Sequence, residues 1–328
     1  YQVAEYCADV VEGIMQPCNA AGIPHPLIIS ESGRALIGYY SVLLMNVLGT
    51  ATFERNALPG DIPEDLPAPL ANLLEVARTL RAKNLQEYFN DALYYRDEIF
   101  AAFSHGQITL RQRALGDQIF WHILTRIAAE TRTMKVVPVE LANLPDIMAD
   151  VYYCNFSVFQ SLPDAWAIDQ LFPIMPIHRL CEKPQRLAYL TDITCDCDGK
   201  IDRFIDLHGV NRTLPVHAVE RGEQYVLGAF LVGAYQETLG DLHNLFGDTN
   251  VVSVRVDEDG EIEYVEEVDG DSVADVLSYV EYSPARLMEQ FRSLAEEAVK
   301  QKRITPAERR VILAAYESGL RGYTYFED

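Results

Sequence analysis

Residues 68–150 carry apolar side chains at helical spacing with no strand signal, yet strand-like segments are expected on both sides of them. Helices over roughly 68–82, 84–104, 109–133 and 138–150 fill this block, and Thr109 is an N-cap candidate for the third. A stretch this long without strands reads as a small helical bundle inserted between two sheet-containing units. The Pro- and acid-rich connector from Pro59 to Pro69 leads into it. The chain thus divides into residues 1–58, the inserted bundle 59–150, a strand-rich unit 151–270 and a helical tail 271–328.

In the first segment, Val3, Tyr6, Val10, Val11 and Ile14 predict a helix over 2–22, closed by Asn19 to Gly22. Leu27-Ile28-Ile29-Ser30 reads as a buried strand, Glu31-Ser32-Gly33-Arg34 as a turn, and Ala35 to Val47 as an apolar helix. That alternation is the rhythm of the last units of an α/β barrel. Strands are expected at 151–159, 186–194, 201–206, 224–232, 251–256 and 261–267, with Asp257-Glu258-Asp259-Gly260 as a hairpin turn. Helices return at 272–281, 284–300 and 305–319. Asp271, Ser283 and Thr305 are their N-cap candidates, with Pro284 and Pro306 at first helical positions. The fold class is therefore α/β plus β, with an all-helical insertion and trailing helices.

A formal charge of −22 argues against a general nucleic-acid or anionic-membrane binder, both of which need basic patches. No window approaches a membrane span. The six cysteines are scattered, which predicts reduced thiols and a cytoplasmic setting.

Three clusters carry chemistry. In Glu31-Ser32-Gly33-Arg34, Gly lets the backbone approach an anion, a helix N-terminus offers unpaired N–H groups, and Arg adds a bidentate donor. The same four residues also suit an ordinary helix start with a surface Arg. In Thr194-Cys195-Asp196-Cys197-Asp198-Gly199, a thiol beside a carboxylate could donate a proton while the carboxylate binds a cation. A plain Asp-Gly turn, or a metal site joining Cys195 and Cys197 to His208 or His217, are the alternatives. In Gly233-Ala234-Tyr235, closing the strand at 224–232 and opening a helix that ends near His243, a Tyr hydroxyl could complete a phosphate cradle or simply cap its own packing.

The order Glu-x-Gly-Arg, Cys-Asp, Gly-Ala-Tyr resembles the fold-type III decarboxylases that use pyridoxal 5′-phosphate, a group that includes ornithine, diaminopimelate and arginine enzymes. Asn155 to Trp166, Asp192 to Asp196, Val232 to Asp248 and Gly322-Tyr323-Thr324-Tyr325 resemble the biosynthetic arginine decarboxylases in particular. The resemblance implies the end of a cofactor-binding α/β barrel in 1–58, a sandwich- or barrel-like β-domain in 151–270, and decarboxylation of L-arginine to agmatine and CO2. It implies that Glu31 pairs with the pyridine nitrogen and that Gly33, Arg34 and Tyr235 hold the phosphate. Cys195 would protonate the substrate after CO2 leaves, and Asp196 would face the distal cation, with Asp164 and Asp169 as further guanidinium contacts. Cys195 and Asp196 would act in the partner's site of a homodimer or larger homo-oligomer. Magnesium dependence is implied by the family alone; the residues themselves point to no metal site.

Two elements of that pattern are missing. The family's Schiff-base lysine lies on an early barrel strand, upstream of Glu31, as does its glycine-rich phosphate loop. Lys83, Lys135, Lys183, Lys200, Lys300 and Lys302 all fall in expected inserts, loops or tail helices. The chain is therefore expected to be a C-terminal piece. A decarboxylase of another basic amino acid, and a non-catalytic homologue that regulates decarboxylase subunits, are the competing readings.

Overall fold

The computed structural model describes residues 2–53, 57–220 and 222–327. Helix α1 (Val3–Ala21) ends on Gly22 in the left-handed conformation, as the sequence predicts. Two departures follow. Leu27 to Ser30 pair with no strand among the described residues and are exposed. The helix expected over 35–47 is cut to one short turn, α2 (Gly33–Ile37), after which the chain becomes strand β1 (Val42–Ala51).

Packing explains the second departure. Met45 and Val47 are buried while Leu44 and Leu48 stay exposed, a period of two that only a strand produces. An unbroken apolar run fits a buried helix or a buried strand equally well until its neighbours are known. Here β1 finds partners on both sides, antiparallel to β2 (Asp150–Cys154) and to β9 (Val226–Phe230). A bulge between Val47 and Gly49 bends it.

The inserted bundle consists of α3 (Ala68–Thr79), α4 (Leu85–Ser104) and α5 (Leu110–Thr131), closed by the short turns α6 (Val139–Ala142) and α7 (Leu144–Ile147). Thr109 caps α5 with a reciprocal capping box through Gln112. The bundle has its own core, in which Leu70, Leu73, Ile119, Ile123 and Leu124 are fully buried. Truncating one of these to Ala would cost about 2–5 kcal/mol. Arg126 reaches from α5 to the carbonyls of Ala77 and Leu80 at 2.6 and 3.1 Å, a cation on the negative end of α3.

After β2 come two single-turn helices, α8 (Val158–Ser161) and α9 (Pro163–Ala167). Short strands follow: β3 (Ile174–Pro176), β4 (Arg186–Thr191), β5 (Lys200–Ile201), β6 (Phe204–Asp206), β7 (Gly209–Asn211) and β8 (Leu214–Val216), and then β9. The main sheet runs β3-β9-β1-β2-β4-β5, with β8 also on β4; only β2 and β4 pair in parallel. Its core includes Met45, Tyr152, Phe156, Leu190, Tyr225 and Leu227. Residues on both sides of the bundle thus build one sheet, and the bundle departs from it between β1 and β2.

The hairpin of β10 (Val251–Val256) and β11 (Ile262–Val268) turns at Asp257–Gly260 as expected. The tail is α10 (Val273–Tyr279), α11 (Pro284–Lys300) and α12 (Pro306–Arg321). Ser283 and Thr305 cap their helices, but the cap of α10 is Ser272, whose hydroxyl accepts from the Asp275 N–H, and not Asp271. Asp271 is committed to the Asp248 N–H instead. Among the described residues no helix is long and apolar enough to cross a membrane.

Candidate active site

Two groups of the expected residues form, and both rest on the α8–α9 segment. The first centres on the α2 start. A Cβ built on Gly33 would lie 2.4 Å from the Tyr235 hydroxyl oxygen, so only glycine leaves room for that hydroxyl against α2. The Tyr235 ring lies beneath the Arg34 guanidinium, 5.3 Å from Cζ to centroid. Gly33, Arg34 and Tyr235, two hundred positions apart in sequence, are thus brought together.

The approach depends on Gly233. Its N–H donates to the Gly38 carbonyl at 2.8 Å, and a Cβ there would meet the Ile37 carbonyl at 2.2 Å and the Tyr40 ring at 2.3 Å. The expected helix after Gly233 does not form. Residues 231–239 make irregular turns, with Leu231 and Tyr235 at positive φ, 65° and 71°. Such a backbone costs a bulky residue of order 1–3 kcal/mol and is typical of positions held for a purpose.

Arg34 Nη2 pairs with Asp164 Oδ2 at 2.9 Å, and the same carboxylate oxygen accepts from Gln236 Nε2 at 2.7 Å. Gln236 Oε1 accepts from the Asp164 N–H at 3.2 Å. Arg34 Nη1 is buried and has no hydrogen-bond partner. A buried guanidinium nitrogen without an acceptor is a strong demand for an anion. The Arg34 guanidinium lies over the Tyr235 ring, whose hydroxyl packs against Gly33 at the start of α2. This donor set fits a phosphate group. Glu31 is exposed and engages no partner among the described residues.

The second group is the 192–199 turn. Asp192, nearly buried, accepts from the Val158 N–H at 2.8 Å and from the N–H and hydroxyl of Thr194 at 2.9 and 2.7 Å. Next to it, the exposed Cys195 meets Asn244 twice: its N–H donates to Oδ1 at 3.3 Å, and Nδ2 donates to its Sγ at 3.2 Å. Asp196 faces His243 Nε2 at 3.3 Å, and the His243 ring packs tilted against Phe159, centroids 4.4 Å apart. No hydrogen bond or ion pair among the described residues joins this group to the Arg34 group.

The sequence set Asp164 and Asp169 toward a substrate guanidinium. The structure places both against the chain's own arginines: Asp164 on Arg34, and Asp169, largely exposed, on Arg203 at 3.0 Å. The metal site that would join Cys195 and Cys197 to His217 does not form, because both nitrogens of that buried ring are engaged, by the Tyr225 hydroxyl at 2.8 Å and the Glu182 carbonyl at 3.1 Å. Asp196, Cys197 and Asp198 do cluster, on an exposed turn. All six cysteines are free. Burial, and then the nearby Asp192 carboxylate, push the Cys154 thiol far above its ordinary range, which makes it inert beside the exposed Cys195. Gln236 and Asn244 carry much of this geometry, yet an amide side chain in a loop gives no signal in sequence.

The profile of the arginine decarboxylase helical bundle domain matches residues 63–145, and that of the arginine decarboxylase C-terminal helical extension matches 273–326. The biosynthetic arginine decarboxylase of Thermosynechococcus vestitus is 46% identical over 99% of this chain and 51% of its own length. That of Bacteroides thetaiotaomicron is 46% identical over 100% of this chain and 52% of its own. The chain belongs with the biosynthetic arginine decarboxylases. The solved structure of the Campylobacter jejuni biosynthetic arginine decarboxylase superposes on it with a TM-score of 0.79 at 29% identity, covering all of this chain and 52% of that one. The chain therefore spans about half the length of the arginine decarboxylases it matches, and its fold is that of the corresponding half.

Proposed function

We propose that this chain forms half of a pyridoxal 5′-phosphate-dependent decarboxylase that converts L-arginine to agmatine and CO2. The observation that carries the reading is the buried Arg34 Nη1, without a hydrogen-bond partner among the described residues, on a guanidinium that lies over the Tyr235 ring beside Gly33, in a chain about 46% identical to arginine decarboxylases. The phosphate would take Arg34 Nη1, the Tyr235 hydroxyl and the N–H groups at the start of α2. Glu31, without a partner among the described residues, would keep the pyridine nitrogen protonated. The cofactor, when bound, supplies an electron sink as the α-carboxylate leaves.

Cys195 would hold the proton delivered to the substrate's Cα, and Asp196 would exchange His243 for the substrate guanidinium. Asp164 and Asp169 already engage Arg34 and Arg203, so Asp196 is the carboxylate assigned to substrate. Cys195 and Asp196 would serve the partner's cofactor in a homodimer. The enzyme would act in the cytoplasm.

The test is turnover by the assembled enzyme with L-arginine, L-ornithine and L-lysine, followed by CO2 release and amine analysis. L-Arginine should be strongly preferred; turnover of none of the three would favour a regulatory homologue. Cys195→Ala should slow agmatine formation by ~100-fold or more, as for a lost general acid, and should raise the fraction of aldehyde by-product. Clean agmatine at the normal rate would reject the role of that thiol.

A further inference from the structure

The C-terminal extension grips the loop that carries Asn244 of the Cys195 group. After α12, the Tyr323 hydroxyl accepts from the Asn250 N–H at 3.0 Å and the Thr324 hydroxyl accepts from the Gly247 N–H at 3.1 Å. The buried Tyr325 donates its hydroxyl to the Gly247 carbonyl at 2.8 Å and packs its ring on Phe246 at 5.2 Å. Phe326 is clamped through both backbone polar groups by the Asn155 side chain, at 2.8 and 3.1 Å, where β2 ends. Both polar atoms of Gly247 are thereby held by two successive residues of the tail.

Three positions upstream of Gly247 lies Asn244, in the left-handed region at φ 57°, with Leu245 beside it at 60°. That conformation aims the Asn244 carboxamide at Cys195, where it accepts from the backbone N–H and donates to the thiol sulfur. Two contacts from one planar amide fix both the backbone and the side chain of Cys195. Asn is among the few residues that hold a left-handed backbone readily while offering a donor and an acceptor.

We infer that Asn244 is a positioning residue that seats the Cys195 thiol, and that the 323–326 tail locks Asn244 in place. The C-terminal extension thereby sets the proton donor of the reaction from a distance. The inference about catalysis rests on the role given to Cys195 under Proposed function; the seat itself does not.

The test uses two variants that preserve the fold. Asn244→Gly keeps the left-handed backbone accessible but removes the amide. Tyr325→Phe keeps the ring contact and removes one hydroxyl. In the 328-residue chain, hydrogen exchange of the segment containing Cys195 should quicken roughly 5-fold in N244G, the factor carried by the loss of one ordinary hydrogen bond. In Y325F, exchange should quicken in both the 243–250 loop and the Cys195 segment, with β9 unchanged. Unchanged exchange at Cys195 in N244G overturns the seat. A faster loop without a faster Cys195 segment in Y325F overturns the lock.

In the assembled enzyme, N244G should raise the aldehyde fraction from L-arginine while KM stays near that of the parent, because Asp196 and His243 are untouched. A KM rise with clean agmatine would mean that Asn244 acts on substrate binding and would overturn the positioning role. If exchange responds as expected but the product mixture and KM do not change, the seat stands and the assignment of Cys195 as proton donor fails.

Discussion

Asp164 is where the structure departs most usefully from the sequence. If its carboxylate serves Arg34, the two residues should be energetically coupled without any substrate. The pair is 2.9 Å apart, with side-chain exposures of 34% for Arg34 and 10% for Asp164. Unit charges about 4 Å apart attract by about 4 kcal/mol at an effective dielectric of about 20. Desolvation of the carboxylate and the partial exposure of Arg34 cancel more than half of that. A coupling of about 1–2 kcal/mol should remain. The cycle uses Asp164→Asn, which keeps an acceptor for Gln236, Arg34→Gln, and the double variant. Trp166 lies two positions from Asp164, with its ring edge-on to Phe159 at 5.2 Å, and is a local reporter. The chain has two tryptophans, so a Trp121→Phe background isolates its fluorescence in urea unfolding. Additive single-variant losses would refute the brace and return Asp164 to the list of substrate contacts.

The cradle makes a second prediction. Real Cβ contacts do not fall below about 3.0 Å, so Gly33→Ala must push the Tyr235 hydroxyl back by at least about 0.6 Å, whereas the ring carbon at 3.3 Å is only tight. The Ala substitution should therefore destabilise by about 1 kcal/mol alone and by less in a Tyr235→Phe background, read by thermal unfolding; equal losses in both backgrounds would sink the steric argument. A third concerns pH. The Thr305 backbone N–H, and then its hydroxyl, hold the Glu308 carboxyl below its ordinary value at the start of α12. A depressed carboxyl stabilises above its unfolded value and loses that contribution as pH falls through the folded one. Hydrogen exchange in the first turn of α12 should quicken as pH drops through and below the ordinary glutamate range, after correction for intrinsic rates. Glu308→Gln should remove that dependence.

What the sequence determined by itself was local or compositional. The bundle helices, the Thr109, Ser283 and Thr305 caps and the Asp257–Gly260 hairpin follow from periodicity and short-range hydrogen bonding, which nearby residues settle among themselves. Gly33, Arg34 and Tyr235 could also be singled out from the sequence as one cluster, and the structure brings those three together. Tertiary structure decided the rest. Whether Val42 to Val47 became helix or strand depended on β2 and β9 arriving from far along the chain to cover its two edges. Whether Asp164 faced a substrate or Arg34 depended on a pairing across 130 positions. The Asn244 carboxamide became a seat for Cys195 only because the end of the chain grips Gly247. Contacts of that range leave no periodicity and no local motif, because the partners that satisfy each group meet only when the sheet has closed.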